Sequence, residues 1–274
     1  MEMATRLATF WRPYAMKFKS DIFRFLGKLR KGDNFAFTRF SDGEILIMQN
    51  KELVLRSDYV KTGETIHNFG YSSDDHKHFD PAEHGFLKDK LVEAYTFKKD
   101  NYFVGGICRN CDCASQEYAL WMHEKYGELD ANYTYANLLV NSNYPIFIGY
   151  LYKELKKKKI VLVCSENADL THTGLEIVKD FRVGKNCIVN DHHLIDEIKS
   201  WIKNDNIRDH VFLFAASSLS EVLIYELFKD HDNNTYIDIG TTLHKQLGLS
   251  LERDYLRGYW QNAPTSDLWR SCDD

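Results

Sequence analysis

Proline is scarce, with four in 274 residues, and none marks a linker that would divide the chain. No stretch approaches the roughly 20 apolar residues of a membrane-crossing helix. No short apolar run followed by a small-residue cleavage site opens the sequence as a secretory leader would. A cytoplasmic protein is the expectation. Positive charge is not in excess either: the formal net charge is −5, which argues against a general nucleic-acid binder, whose affinity rests on a basic surface meeting phosphates. Two phosphate-binding fingerprints are missing. No G-x-G-x-x-G follows an apolar run and no G-x-x-x-x-G-K-[ST] occurs, so nicotinamide and P-loop chemistry lose ground. Internal repeats and low-complexity segments are absent as well. The six cysteines, three of them crowded between Cys108 and Cys113, do not resemble a secreted disulfide framework and suit reduced thiols.

The residues that are present describe a globular protein. Hydrophobic residues make up 44% and charged residues 27%, and the length suits one large α/β domain. Residues 1–274 are read as a single domain, with a helix over 1–32 and a polar, turn-rich segment near 50–100 as a candidate insertion or lid. Trp11, Tyr14, Phe18, Ile22, Phe25, Leu26 and Leu29 recur at steps of three and four, which predicts an amphipathic helix ending near Gly32. Its basic polar face suits a solvated surface or a peripheral contact with an anionic membrane.

Strands are expected near Phe35–Phe40, Tyr102–Ile107, Ile160–Cys164, Cys187–Asn190, Val211–Ala215 and Tyr236–Ile239. Helices are expected near Phe86–Phe97, Ser115–Tyr126, Pro145–Lys156, Leu194–Lys203 and Leu219–Lys229, while Tyr133–Val140 is ambiguous. Alternating strands and helices imply right-handed crossovers and an α/β, Rossmann-like fold, a mostly parallel sheet flanked by helices.

Chemistry concentrates where the first strand should turn into a helix, at Thr38-Arg39-Phe40-Ser41-Asp42-Gly43-Glu44. Ser41 and Glu44 have the spacing of a capping box, which satisfies helix N–H groups and needs no further purpose. Asp42 and Glu44 are also two hard carboxylates at a strand end, where open α/β sheets place ligands and where oxygen donors suit a divalent cation. Gly43 permits a turn that brings them together, and Arg39 adds a guanidinium able to grip phosphate. A separate cluster, Cys108-x-x-Cys111-x-Cys113 with His84 or His123, raises a zinc site, although structural zinc usually shows a second well-spaced pair. The polar run Asp74–Asp80 reads as an ordinary loop.

The stretch "FTRFSDGE" resembles the "RFGDGE" signature of the GT-D type glycosyltransferases. Val211-Phe-Leu-Phe-Ala-Ala-Ser217-Ser218 and Tyr236-Ile-Asp238-Ile-Gly240 follow in the order of that family, over roughly residues 15 to 247. The resemblance implies that Asp42 and Glu44 hold Mn²⁺ or Mg²⁺ against the diphosphate of a nucleotide sugar, with Arg39, Ser217, Ser218 and Gly240 facing that donor. It implies transfer of a hexose, from a UDP-sugar first of all, to a glycan or glycoconjugate acceptor. Two departures stand out: Ser41 replaces a glycine, and Thr241-Thr242-Leu243-His244 follows Gly240 where acidic or sugar-facing residues would be expected. Candidate bases for the acceptor hydroxyl are Glu166, Asp238, Glu221 and His244, and Tyr133, Tyr135, Tyr144, Tyr259 and Trp260 are candidate walls for a sugar. The alternatives are a non-catalytic carbohydrate- or nucleotide-binding protein on the same fold and a zinc-dependent enzyme that uses the Cys108, Cys111 and Cys113 cluster.

Overall fold

Short apolar runs separated by amphipathic segments build a sheet covered on both faces, as seen in a computed structural model that describes residues 18–67, 76–107, 116–127 and 131–264. Seven strands lie in the order β7-β6-β1-β11-β10-β8-β9. They are β1 (Ala36–Arg39), β6 (Tyr102–Gly106), β7 (Tyr133–Tyr135), β8 (Lys159–Ser165), β9 (Glu176–Val183), β10 (Val211–Phe214) and β11 (Thr235–Asp238). Every pairing is parallel. Alternation along each strand sends neighbouring residues to opposite layers. Ala36, Tyr102, Phe212 and Tyr236 enter one core; Phe37, Phe103, Leu213 and Ile237 enter the other.

Helices α2 (Asp42–Met48), α3 (Pro81–Thr96), α4 (Gln116–Tyr126), α5 (Leu194–Asn204) and α6 (Leu219–Asp230) contribute to the first core. The second is closed by α1 (Phe18–Lys31), the helical stretch from Tyr144 to Leu155 and α7 (Asp254–Gln261). Ile22, Phe25, Leu26 and Leu29 on α1 are all buried, as their spacing predicts. Trp11 and Tyr14 lie outside the described residues. The basic face of α1 is partly occupied within the protein: Lys28 donates to Asn101 at 2.6 Å, Arg24 lies 4.5 Å over the Phe103 ring, and Arg30 stands 3.6 Å from Glu154.

One expectation fails in the sheet. Cys187–Asn190 is a single helical turn, whose Cys187 thiol donates to the Ala216 carbonyl at 3.0 Å. The strand lies earlier, at β9, an edge strand whose Glu176, Val178 and Lys179 are exposed, so it carries little of the apolar signal by which buried strands are recognised. Residues 53–79 form a second, antiparallel sheet in the order β4-β3-β2-β5, with β2 at Leu53–Leu55, β3 at Val60–Thr62, β4 at Thr65–His67 and β5 at Lys77–Phe79. The following helix α3 starts five residues earlier than its pattern suggests, because Pro81 sits in its first turn and Asp80 caps the Ala82 N–H. Leu87, Leu91 and Ala94 bury α3 in the main core.

Among the described residues, no helix is long and apolar enough to cross a membrane.

Candidate functional site

The carboxyl ends of β1 and β11 are adjacent, although 200 residues separate them in sequence. That end of an open parallel sheet is where ligands bind, and the chain brings most of its candidate residues there. Arg39, the last residue of β1, donates from Nε to the Ala136 carbonyl at 2.6 Å and stands 3.8 Å from Asp238 at the end of β11. Asp238 Oδ1 accepts the Gly240 N–H at 2.8 Å. Gly240 has φ +48°, and a side chain there would overlap the Arg39 guanidinium. The glycine is required both by backbone conformation and by the close approach of Arg39.

After Arg39 the chain turns directly into α2. Ser41 and Glu44 form the capping box expected from their spacing, with the Ser41 N–H donating to Glu44 Oε2 at 3.1 Å. The cap is only half of what Glu44 does. Its Oε1 accepts from Lys77 Nζ at 3.1 Å and from the Ser218 hydroxyl. Lys77 Nζ also donates to Ser218 Oγ at 2.6 Å. All three side chains are buried. Ser218 therefore does not cap α6 with its side chain; it spans from β10 to the start of α2. Ser217, beside it, is exposed at φ +49° and does not join the cluster.

Lys77 arrives from outside the main sheet. The antiparallel pairing of Leu55 with Lys77 and of Leu53 with Phe79 sets its register on β5. Asn186 holds the other edge, accepting from His78 N–H at 2.9 Å and donating to its carbonyl at 3.1 Å. Sequence reading passes over Lys77 because it sits in a run of seven mostly polar residues; only strand pairing distant in sequence reveals where it points.

Burial governs the electrostatics. It pushes Asp42 above the ordinary carboxylate range, and the nearby Glu44 charge adds to this against the pull of Lys77. Burial pushes on Glu44 too, but Lys77 and the Ser218 hydrogen bond outweigh it and hold that carboxyl below its usual value. Glu221, on the first turn of α6, is almost wholly buried and raised well above the usual range, first by burial and then by the Asp238 and Glu44 charges. Asp238 is raised by burial and pulled back by Arg39 and by a hydrogen bond from Glu221. The pair is best described as Glu221 carrying a proton that it donates to Asp238. Its other oxygen, Oε2, has no hydrogen-bond partner.

A Mn²⁺ or Mg²⁺ held jointly by Asp42 and Glu44 does not fit this arrangement. Both Glu44 oxygens are engaged, Oε1 twice, and Asp42 Oδ1 accepts the Gly43 N–H at 2.9 Å. An ammonium group already stands where the ion would neutralise Glu44. Among the described residues no three His, Cys, Asp or Glu side chains are grouped so as to hold a metal.

The remaining candidates fall elsewhere. Glu166 is exposed at the end of β8, three strands from β1 in the sheet order and so about 14 Å away across the ladder. His244 pairs through Nδ1 with the Ser250 carbonyl at 2.9 Å, within its own loop. Cys108, Cys111 and Cys113 lie outside the described residues. His84 accepts the Asp80 N–H at 3.0 Å. Tyr133, Tyr135 and Tyr144 are buried core residues, not walls of an open site. Tyr144 donates to the Thr242 carbonyl at 3.0 Å and accepts from Trp260 at 2.9 Å, which packs α7 against the second core as a tail.

No protein-family model and no curated protein matches the chain. Two solved structures are similar to it. One is a selenomethionine-substituted structure of domain of unknown function 1792, with a TM-score of 0.51 and 14% identity over 83% of this chain and 81% of that one. The other, with a TM-score of 0.50 and 16% identity over the same shares, is of that domain described as having a distinct glycosyltransferase fold. At these identities the likeness is one of architecture, and it establishes that this chain has a glycosyltransferase-like α/β fold.

Proposed function

We propose that this chain is a glycosyltransferase of the GT-D type, moving a hexose from a nucleotide diphosphate sugar, a UDP-sugar first of all, to a glycan acceptor. The observation that carries the reading is the pairing of two cations at the ligand-binding edge of the sheet, half-buried Arg39 with Asp238 and buried Lys77 with Glu44. Glycosyl transfer builds negative charge on the departing diphosphate, and preorganised cations in a desolvated site stabilise it without reorganising. Arg39 suits this role because its guanidinium is fixed by the Ala136 carbonyl and by Asp238. An inverting reaction also needs a base for the acceptor hydroxyl. Asp238 is the candidate that lies in the cluster and holds charge, since Glu221 keeps its proton.

The test is a thermal-shift screen of nucleotide sugars and nucleoside diphosphates, with and without Mn²⁺, followed by product analysis on the ligands found. A ligand that binds only the folded state raises its melting temperature. UDP or a UDP-sugar is expected to do so in the wild type and to fail in Arg39→Ala. A screen in which no nucleotide raises the melting temperature under either condition overturns the reading. Binding without transfer to any acceptor would favour the non-catalytic alternative.

A further inference from the structure

We propose that Lys77 takes the place of the divalent cation at the Asp42-Gly43-Glu44 turn, so that this chain holds its nucleotide diphosphate through a fixed ammonium group and without a metal. The inference rests on the donor proposed above.

Three features place the ammonium group. It is 3.1 Å from Glu44 Oε1 and 2.6 Å from Ser218 Oγ, which ties the start of α2 to the end of β10 through a single positive charge. It also lies directly over the turn: a Cβ on Gly43 would sit 2.8 Å from Nζ. Gly43 is thus the residue that lets a cation settle between the two acidic neighbours. Finally, Lys77 is only 8% exposed, and its strand is fixed on one side by β2 and on the other by Asn186. A long flexible side chain has been made into a positioned charge.

Two cations stand within the cluster, Lys77 against Glu44 and Arg39 against Asp238. A diphosphate arriving at this edge meets one guanidinium and one ammonium group, two unit charges in place of one divalent ion. The ammonium needs no ligand exchange and no free coordination position. Its presence beside Glu44 also raises the cost of bringing in a second cation, because like charges in a desolvated site repel strongly.

The experiment is calorimetric titration of the full chain with UDP, and with GDP as a second probe, in EDTA and again in Mn²⁺. The affinity of the wild type is expected to agree within about twofold between the two conditions, a difference under 0.5 kcal/mol. Lys77→Met, checked for folding by circular dichroism, is expected to lose about tenfold or more in EDTA and to recover part of that loss in Mn²⁺, once the turn is vacant. Wild-type binding that appears only with Mn²⁺ overturns the inference and leaves the glycosyltransferase reading standing, as does a Lys77→Met variant that binds like the wild type in EDTA. No binding of either nucleotide under either condition overturns both.

Discussion

Replacing Glu221 with glutamine should change how stability depends on pH while leaving the fold intact. Glutamine is nearly the same shape and its amide N–H can donate to Asp238 as the carboxylic acid does, so at pH 4 and below, where Glu221 is protonated in both folded and unfolded chains, the variant should differ little from the wild type. In the wild type the folded protein keeps a proton on Glu221 that the unfolded chain releases near the ordinary glutamate value of 4.5. Between those two values the native state binds one more proton than the unfolded state, so its stability falls with rising pH by about 1.4 kcal/mol per unit. The variant has no such proton to lose. Its advantage over the wild type should therefore grow by about 1.4 kcal/mol per pH unit above 4.5, until the folded-state value is reached. Urea unfolding at intervals from pH 5.5 to pH 8 reads this directly, because taking the difference between the two proteins cancels the titration of histidines common to both. A difference that stays constant across that range would show that Glu221 is already ionised in the folded protein, and the account of the Glu221–Asp238 pair would be wrong.

Three other substitutions probe the frame around the site. Gly240→Ala forces a side chain into the left-handed region and against Arg39; strain plus the displaced charge-assisted hydrogen bond should cost about 2–4 kcal/mol in urea unfolding and remove nucleotide binding in calorimetry. Glu226, with side-chain exposure of 10%, lies between Lys90 at 2.9 Å and Lys199 at 2.8 Å. Burial raises its pKa, but hydrogen bonds from the two lysines hold it down to about 2. The shift alone corresponds to roughly 3 kcal/mol, and solvent screening of the partly exposed lysines reduces this to about 1–2 kcal/mol. Glu226→Gln should show that loss at pH 7 by urea unfolding, and the difference should shrink as the pH falls from 4.5 toward 2 and the wild-type carboxylate protonates. Tyr102→Phe removes the buried hydrogen bond to the Ala94 carbonyl at 2.8 Å and should cost about 1–3 kcal/mol of stability, with nucleotide affinity unchanged.

What could be read from the sequence follows from where each signal resides. β1, β6, β8, β10 and β11 are buried interior strands whose apolar runs identify them to within a residue or two, and α5 and α6 show the spacing of core-facing helices. β9 is hidden because an edge strand with one exposed face is written in charged residues, whereas Cys187-Ile188-Val189 imitates a strand while forming a helical turn. The small sheet over 53–79 consists of three-residue strands, too short for alternation to register. At the site, Arg39, Asp42 and Glu44 stand out by residue type at a strand end, whereas Ser218 and Asp238 enter through the family resemblance and Glu221 only as one of four candidate bases. Lys77 does not stand out. A lysine beside a carboxylate is a fact of pairing between distant segments, and nothing in the residues around it carries that information.

The sheet order has a consequence for how the chain acquires its structure. β1 is an interior strand of the sheet, third of seven, and one of its edges is covered only by β11. During synthesis that edge stays open until some 200 further residues have been made, and the first 200 residues cannot complete the layer that α1 and α2 pack against. Contacts of such long sequence separation slow folding, and an unpaired apolar edge invites association with other chains. Chains truncated before Thr235 should therefore accumulate as aggregates rather than as smaller folded proteins, and a ribosome must deliver the last strand before the first becomes an interior one.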